Sequence, residues 1–303
     1  MLNKTFALLA ALVLSSAAWA QTTTKSNDFV SFDNIEVNND FEVTFHKADF
    51  YRVDWTFDTI LSDVVGVHVS GRTLHISLNK KGMSSELKKT YKGRNAPKPI
   101  LKVTVYAPHF SELTLSENAV FEAAGNRIST GTFQMTLSDK ARVNNLVVDA
   151  DRATIDLEKG GNASLTVNAG QVTVKTDKSS SLNLLQTSES LSVSTAGSSS
   201  VTVSGQTGSL VTSCQNSSKI SVSGKAQSVL HNGKGSSEAD LLNLPLKTAD
   251  VTMANSSKLF LSVSESLRVD LKGGSTVTFS GEPRIDVVNI VSSSLLRYTG
   301  KKK

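Results

Sequence analysis

Cysteine is all but missing from this sequence. Cys214 stands alone among 303 residues, which excludes an internal disulfide framework. The residues that share its place in the repeat described below are mostly apolar, so a small buried side chain is expected there rather than a reactive thiol. Aromatic residues are scarce too, at 6%. From about residue 113 onward Ser, Thr, Val and Gly take their place, a mix that suits the narrow core of a β-solenoid. Past the first twenty residues no apolar run is long enough to cross a membrane as a helix. The last two thirds of the chain also lack the 3.6-residue period of amphipathic helices and the Leu-x-x-Leu-x-Leu pattern of leucine-rich repeats.

What the chain has instead is a repeat of about nineteen residues, clearest in Asn216-Ser217-Ser218-Lys219-Ile220-Ser221-Val222. Apolar anchors recur at Phe121, Val143, Leu165, Leu182, Val201, Ile220, Ala239, Leu259, Val277 and Leu296. Two positions earlier stand Ala119, Ala141, Ala163, Ser180, Ser199, Ser218, Ser237, Ser257, Ser275 and Ser294. Eight positions before the anchors a mostly apolar column runs from Leu113 through Met135 and Leu157 to Val288. Registered columns of this kind mean stacked coils that cover one another's cores. The expected fold is all-β: a right-handed parallel β-helix of about ten coils, with the small column where the wall turns sharply inward. Stacked serines are expected to hydrogen-bond along the rod. Thr212, His231, Gly233 and Ala239 mark the weakest coils.

Four segments follow in order. Residues 1–20 combine Lys4, an apolar run from Phe6 to Leu14 and an Ala18-Trp19-Ala20 end, the pattern of a cleaved secretory signal peptide. No cysteine follows that point, so lipid attachment is not expected. Residues 21–28 read as a polar leader with little reason to order. Residues 29–110 read as a β-rich cap, and residues 111–300 as the helix itself. Within the cap, Val67-His68-Val69-Ser70 and Thr73-Leu74-His75-Ile76 flank Gly71-Arg72, a hairpin with glycine where a type II′ turn wants it and His68 opposite His75.

The net charge of +5 is unevenly spread. Between residues 80 and 98, Lys80, Lys81, Lys88, Lys89, Lys92, Arg94 and Lys98 face Glu86 alone, and Lys301, Lys302 and Lys303 end the chain. The remainder is mildly acidic. An irregular basic loop on such a body attracts anionic glycan or lipid head groups; the alternative is solvated charge. Nucleic acid is not expected of an exported chain whose basic run carries no aromatic interleaving.

Other residue groupings bear on chemistry. His68 and His75 lack the third and fourth ligands of a metal site. Asp139, Glu158 and Asp177 recur at a one-coil spacing, each followed by a lysine (Lys140, Lys159, Lys178). They read as a charge ladder or, less simply, as a carboxylate edge for glycoside chemistry or Ca²⁺. The Gly-rich nonapeptide of calcium-binding β-rolls is absent. Regular outward threonine rows of an ice-binding wall are also absent. Neither cofactor nor metal is expected. Sequons at Asn162, Asn216 and Asn255 carry no weight, and Asp58-Thr59-Ile60 resembles a short O-glycosylation site.

Phe32-Asp33-Asn34-Ile35-Glu36-Val37, then Phe41-Glu42-Val43-Thr44-Phe45, then Val103-Thr104-Val105 and Phe110-Ser111-Glu112-Leu113-Thr114-Leu115-Ser116, followed by Ser- and Gly-rich coils, resemble the family of the putative auto-transporter adhesin, head GIN domain. The resemblance covers roughly residues 29–300. It implies a β-helix with an N-terminal β cap in a secreted or envelope protein of the Bacteroides type, and it brings no functional residues with it. Nothing near the C-terminus resembles a translocator barrel, so self-export is not expected. The reading is an exported, adhesin-like binding or structural protein, located in the periplasm, at the outer-membrane surface or outside the cell. Flat coil walls also allow a homo-oligomer. The alternative is a carbohydrate-active enzyme, a polysaccharide lyase or glycoside hydrolase, on the same solenoid.

Overall fold

The computed structural model describes residues 21–298 and residue 300; the expected signal peptide at 1–20 lies outside the described residues. The N-terminal region supplies β1 (Thr22–Asp28), β2 (Asn34–Val37), β3 (Glu42–Lys47), β4 (Arg52–Asp58), β5 (Val65–Ser70), β6 (Thr73–Leu78), helix α1 (Ser85–Thr90), β7 (Leu101–Ala107), β8 (Glu112–Leu115) and β9 (Val120–Glu122). The repeat follows as β10 (Arg127–Leu137), β11 (Arg142–Leu157), β12 (Asn162–Thr176), β13 (Ser181–Thr195), β14 (Ser200–Gln215) and β15 (Lys219–Lys225). It continues with β16 (Ser228–Lys234), β17 (Glu238–Ala254), β18 (Lys258–Lys272), β19 (Thr276–Ser280), β20 (Arg284–Val291) and β21 (Ser294–Arg297). From β8 onward every pairing is parallel, each coil lying on the next. This is the expected β-solenoid of about ten turns.

The order of the first rungs is not the order of the chain. β2 lies between β6 and β8, and β3 between β7 and β9, all in parallel. Residues 34–47 are therefore a solenoid rung inserted between later segments, with β6 and β7 on one side and β8 and β9 on the other. The closing elements are those that run antiparallel: β5 against β6, β4 against β7, and β1 against β4. The leader at 21–28, expected to be irregular, is the outermost of them. Polarity does not prevent this, because an edge strand needs only one bonded edge. Thr24 shares a 2.9 Å hydroxyl bond with Thr56, and Lys25 Nζ sits 5.5 Å from the Phe57 ring centroid. The scarce aromatics gather at this end, where Phe45, Phe110, Phe121 and Phe133 are all fully buried.

The hairpin pairs His68 with His75 and Val69 with Leu74, as expected. Its turn is different: Gly71 and Arg72 both have positive φ, at 58° and 64°, which is the type I′ pattern and not II′.

Pairing also corrects the columns in two coils. Val143 lies beside Ala163, and Ala163 beside Leu182, so Ala163 is the third anchor and Gly161 holds the small position. A Cβ on Gly161 would sit 3.0 Å from Leu137 O. Ile155, not Leu157, then pairs with Val174. In the last coil Val277 pairs with Leu295, not Leu296, and Val269 with Val287, not Val288. Ser293 takes the small position, its Oγ accepting from Ser275 N at 3.2 Å.

Each small residue follows a corner of left-handed residues. Asp139 and Lys140, Lys178 and Ser179, Asn216 and Ser217, and Asn255 and Ser256 all have positive φ. Asn, Asp and Gly tolerate this region best. The second N–H of each corner bonds to the next coil, as Ser217 N does to Gly235 O at 2.9 Å. The serines mostly close their own turn, and the expected bonding along the rod is seen in part, as Ser257 Oγ donates to Ser275 Oγ at 3.5 Å and Ser180 N to Ser199 Oγ at 3.1 Å. Ser180, Ser218 and Ser275 donate to the carbonyls of Asp177, Gln215 and Lys272, each at 2.6 Å. Leucine in place of the fully buried Ser218 must both break that bond and overfill the corner. Ser218→Leu is expected to destabilise by roughly 1–3 kcal/mol, and a melting temperature equal to that of Ser218→Ala would disprove the inward packing.

Candidate functional site

The basic stretch is folded, not irregular. Ser84 caps α1, its hydroxyl accepting from Leu87 N at 3.1 Å, with Glu86 in the first turn and Lys88 and Lys89 in the last, the arrangement that suits the helix dipole. Met83, Leu87 and Tyr91 are four residues apart and so fall on one side; all three are partly buried against the core. Beyond the helix, Tyr91 donates to Asp58 Oδ2 at 2.7 Å, and Ile100 N donates to the same oxygen at 3.2 Å. Burial, and then the bond to Asp58, pushes the Tyr91 hydroxyl well above the ordinary phenol range. Asp58 is buried, and its Oδ1 has no hydrogen-bond partner.

With the apolar side docked, the cations are left outside. Lys80 is withdrawn from the set: its Nζ is 2.6 Å from Glu117 Oε2 and 4.0 Å from Asp40 Oδ2. That lysine, together with Asn39, holds the Glu117 carboxyl below its usual value. Lys81, Lys88, Lys89, Lys92, Arg94 and Lys98 are all exposed. None of these six takes part in an ion pair among the described residues. Uncompensated like charges held on a short, anchored segment give a local positive field.

The other constellations are accounted for by their neighbours. His68 and His75 stack with centroids 5.1 Å apart, and His75 Nδ1 is 3.1 Å from Glu36 Oε2. Among the described residues no group of three or more His, Cys, Asp or Glu is placed to hold a metal ion. Along the acidic edge, Lys159 lies 3.7 Å from Asp139 and 3.8 Å from Glu158, and Lys178 lies 3.6 Å from Glu158. Asp177 Oδ1 accepts from Lys178 N at 2.7 Å. These are solvated pairs of small energetic weight. Cys214 is fully buried, and burial raises its thiol pKa.

Shallow depressions in the walls include one of about 430 Å³ around Leu165 and Leu185 and another of about 410 Å³ around Val211 and Leu230. No titratable side chain lines the first. The second holds Asp250 and Arg268, which are paired with each other at 3.4 Å. Sequence reasoning missed the docking of the basic segment, although the four-residue spacing of Met83, Leu87 and Tyr91 was there to be read. It also missed an outward aromatic stack in which Tyr106 lies 5.5 Å from His46 and 5.9 Å from Phe50.

A family model described as "Putative auto-transporter adhesin, head GIN domain" matches residues 31–205 and again 178–283. Among solved structures, a putative lipid binding protein from Parabacteroides distasonis is similar at 16% identity and a TM-score of 0.53, covering 92% of this chain and 97% of that one. A putative adhesin from the same organism is similar at 14% identity and a TM-score of 0.52, covering 92% of this chain and 98% of that one. At such identities the likeness shows the fold alone. No curated protein matches.

Proposed function

From the premise that this chain belongs to the putative auto-transporter adhesin, head GIN domain family, we propose that it is an exported, non-catalytic binding rod whose basic segment engages anionic polysaccharide. The observation that carries the reading is the anchored segment with Lys81, Lys88, Lys89, Lys92, Arg94 and Lys98 exposed and without acidic partners. Its apolar residues Met83, Leu87 and Tyr91 pack toward the core. A polyanion in water therefore suits it better than a bilayer, which rewards apolar insertion. The lysine pairing of Asp139 and Glu158 argues against the glycosidase alternative, which needs a carboxylate pair at work on a sugar.

The test uses the chain from Gln21 onward against acidic and neutral polysaccharides, with new reducing or unsaturated ends followed in the same wells. Saturable, salt-sensitive binding to the acidic polymers without product is expected. The triple charge reversal Lys88→Glu, Lys89→Glu, Lys92→Glu should weaken it by roughly tenfold or more, taking about 0.5 kcal/mol for each exposed cation. Equal binding of neutral polymers, or an unchanged affinity in the triple variant, would remove the basic segment from the function. Product release lost in Asp139→Asn or Glu158→Gln would make the protein an enzyme.

A further inference from the structure

The two ends of the solenoid are finished differently. At the N-terminal end the antiparallel strands β1, β4 and β5 close the stack, and Val53, Phe57 and Leu61 beneath them are fully buried. At the C-terminal end the core columns are cut across. The column Leu210, Val229, Ala249, Leu267 is at most 4% exposed, and its next member, Ile285, is 40% exposed. Val287 succeeds the fully buried Val251 and Val269 and is 51% exposed; Ile290 succeeds Met253 and Leu271 and is 39% exposed. Val288, Val291 and Leu296 are exposed beside them. Among the described residues, β20 pairs only with β18 and β21 only with β19, so each leaves one backbone edge unbonded. A β-branched strand with a free edge and a half-open core is a template for another strand.

We infer that this end is a dimer interface, in which two copies of the chain join C-terminal end to C-terminal end about a two-fold axis. The opposite end of the chain does not fit as the occupant. Its outermost strand reads Thr-Thr-Thr-Lys-Ser-Asn-Asp and is almost wholly exposed, so head-to-tail stacking would set polar groups on cut aliphatic columns. The C-terminal strand is self-complementary. Antiparallel pairing of β20 with its copy, centred between Val287 and Val288, places Ile285 opposite Ile290 and Val287 opposite Val288. It also places Asp286 opposite Asn289 and Arg284 opposite Val291, so no like charges meet. Such an isologous contact satisfies both free edges and closes on itself.

Light scattering and sedimentation of the chain from Gln21 onward test this. The wild type should run at twice the chain mass. Val287→Lys with Ile290→Lys should run as a folded monomer, since both side chains are already part-exposed and a lysine head can reach water. Thr24→Lys, on the outer edge of β1, should leave the dimer intact. Hydrogen exchange gives a readout that needs no variant: amides of residues 284–291 should be protected in concentrated solution and lose protection on dilution. A monomeric wild type would overturn the inference. So would a dimer that survives the double lysine variant, one lost in Thr24→Lys, open-ended filaments, or exchange in β20 that ignores concentration.

Discussion

Alanine in place of Gly224 should destabilise the protein by roughly 3–5 kcal/mol, the range of the most severe single substitutions. In the pairing register Gln186, Gly205 and Gly224 lie directly above one another. Gly205 and Gly224 have φ of 126° and 121°, a region that only glycine enters at low cost. A Cβ on Gly224 would overlap the carbonyl oxygen of Gly205, and one on Gly205 would overlap that of Gln186. The obstacle in both cases is backbone held in the sheet, which cannot swing aside as a side chain can. Gly131→Ala is the control. No positive φ is found there, and the nearest atom to an added Cβ is Asp151 Oδ2 at 3.6 Å, so a change within about 0.5 kcal/mol is expected. Denaturant unfolding of the two variants beside wild type decides the matter. If Gly224→Ala unfolds with wild type, the corner is looser than its geometry says.

Acid should weaken the fold through His231. The ring is fully buried, its Nδ1 lies 2.8 Å from Thr212 Oγ1, and its Nε2 has no partner. Burial pushes its pKa down from 6.5 to about 4. Between those two pH values the unfolded chain binds a proton that the folded chain refuses. Stability is therefore intact above about pH 6.5, falls as the pH drops, and levels off near pH 4. At 1.36 kcal/mol per pH unit the loss is about 3 kcal/mol. The ring fits because its neighbour on the same face is glycine: a Cβ on Gly233 would stand 3.0 Å from Nε2. Replacing both polar partners, Thr212→Val with His231→Leu, restores the aliphatic column of Val193 and Val251 and should flatten the melting temperature between pH 6.5 and 4 relative to wild type. Parallel pH curves for the two proteins would show that His231 is not the titrating group.

The repeat was legible because a stacked coil imposes the same volume on each residue of a column, and volume is written in residue type. It failed where one residue satisfies two columns. Ala163 is small enough for the corner and apolar enough for an anchor, so the sequence alone placed it one column out. Its true place gives steps of 20 residues from Val143 and 19 to Leu182, in line with the other coils. Strand pairing across long separations left less trace. Nothing in Asn34–Val37 says that its neighbours are residues 73–76 and 112–115, because a parallel rung carries the same alternation whatever lies on either side. The basic cluster was visible as composition. That it stands on a capped helix with Tyr91 tied to Asp58 was not, since the tie joins residues 33 positions apart.

The inserted rung has a consequence for how the molecule assembles. Downstream, each coil docks on the one made just before it, with partners such as Leu182 and Val201 only 19 residues apart. Ile35 instead waits for Leu74 on one side and Leu113 on the other. A chain delivered from its N-terminus must therefore keep β2 and β3 unpaired through most of its first hundred residues, and closing those loops carries an entropic penalty that neighbouring coils do not meet. Growth of the rod is thus expected to run toward the C-terminus from this slow, long-range closure. Once formed, that rung is paired on both sides, so unravelling should begin at the other end of the rod.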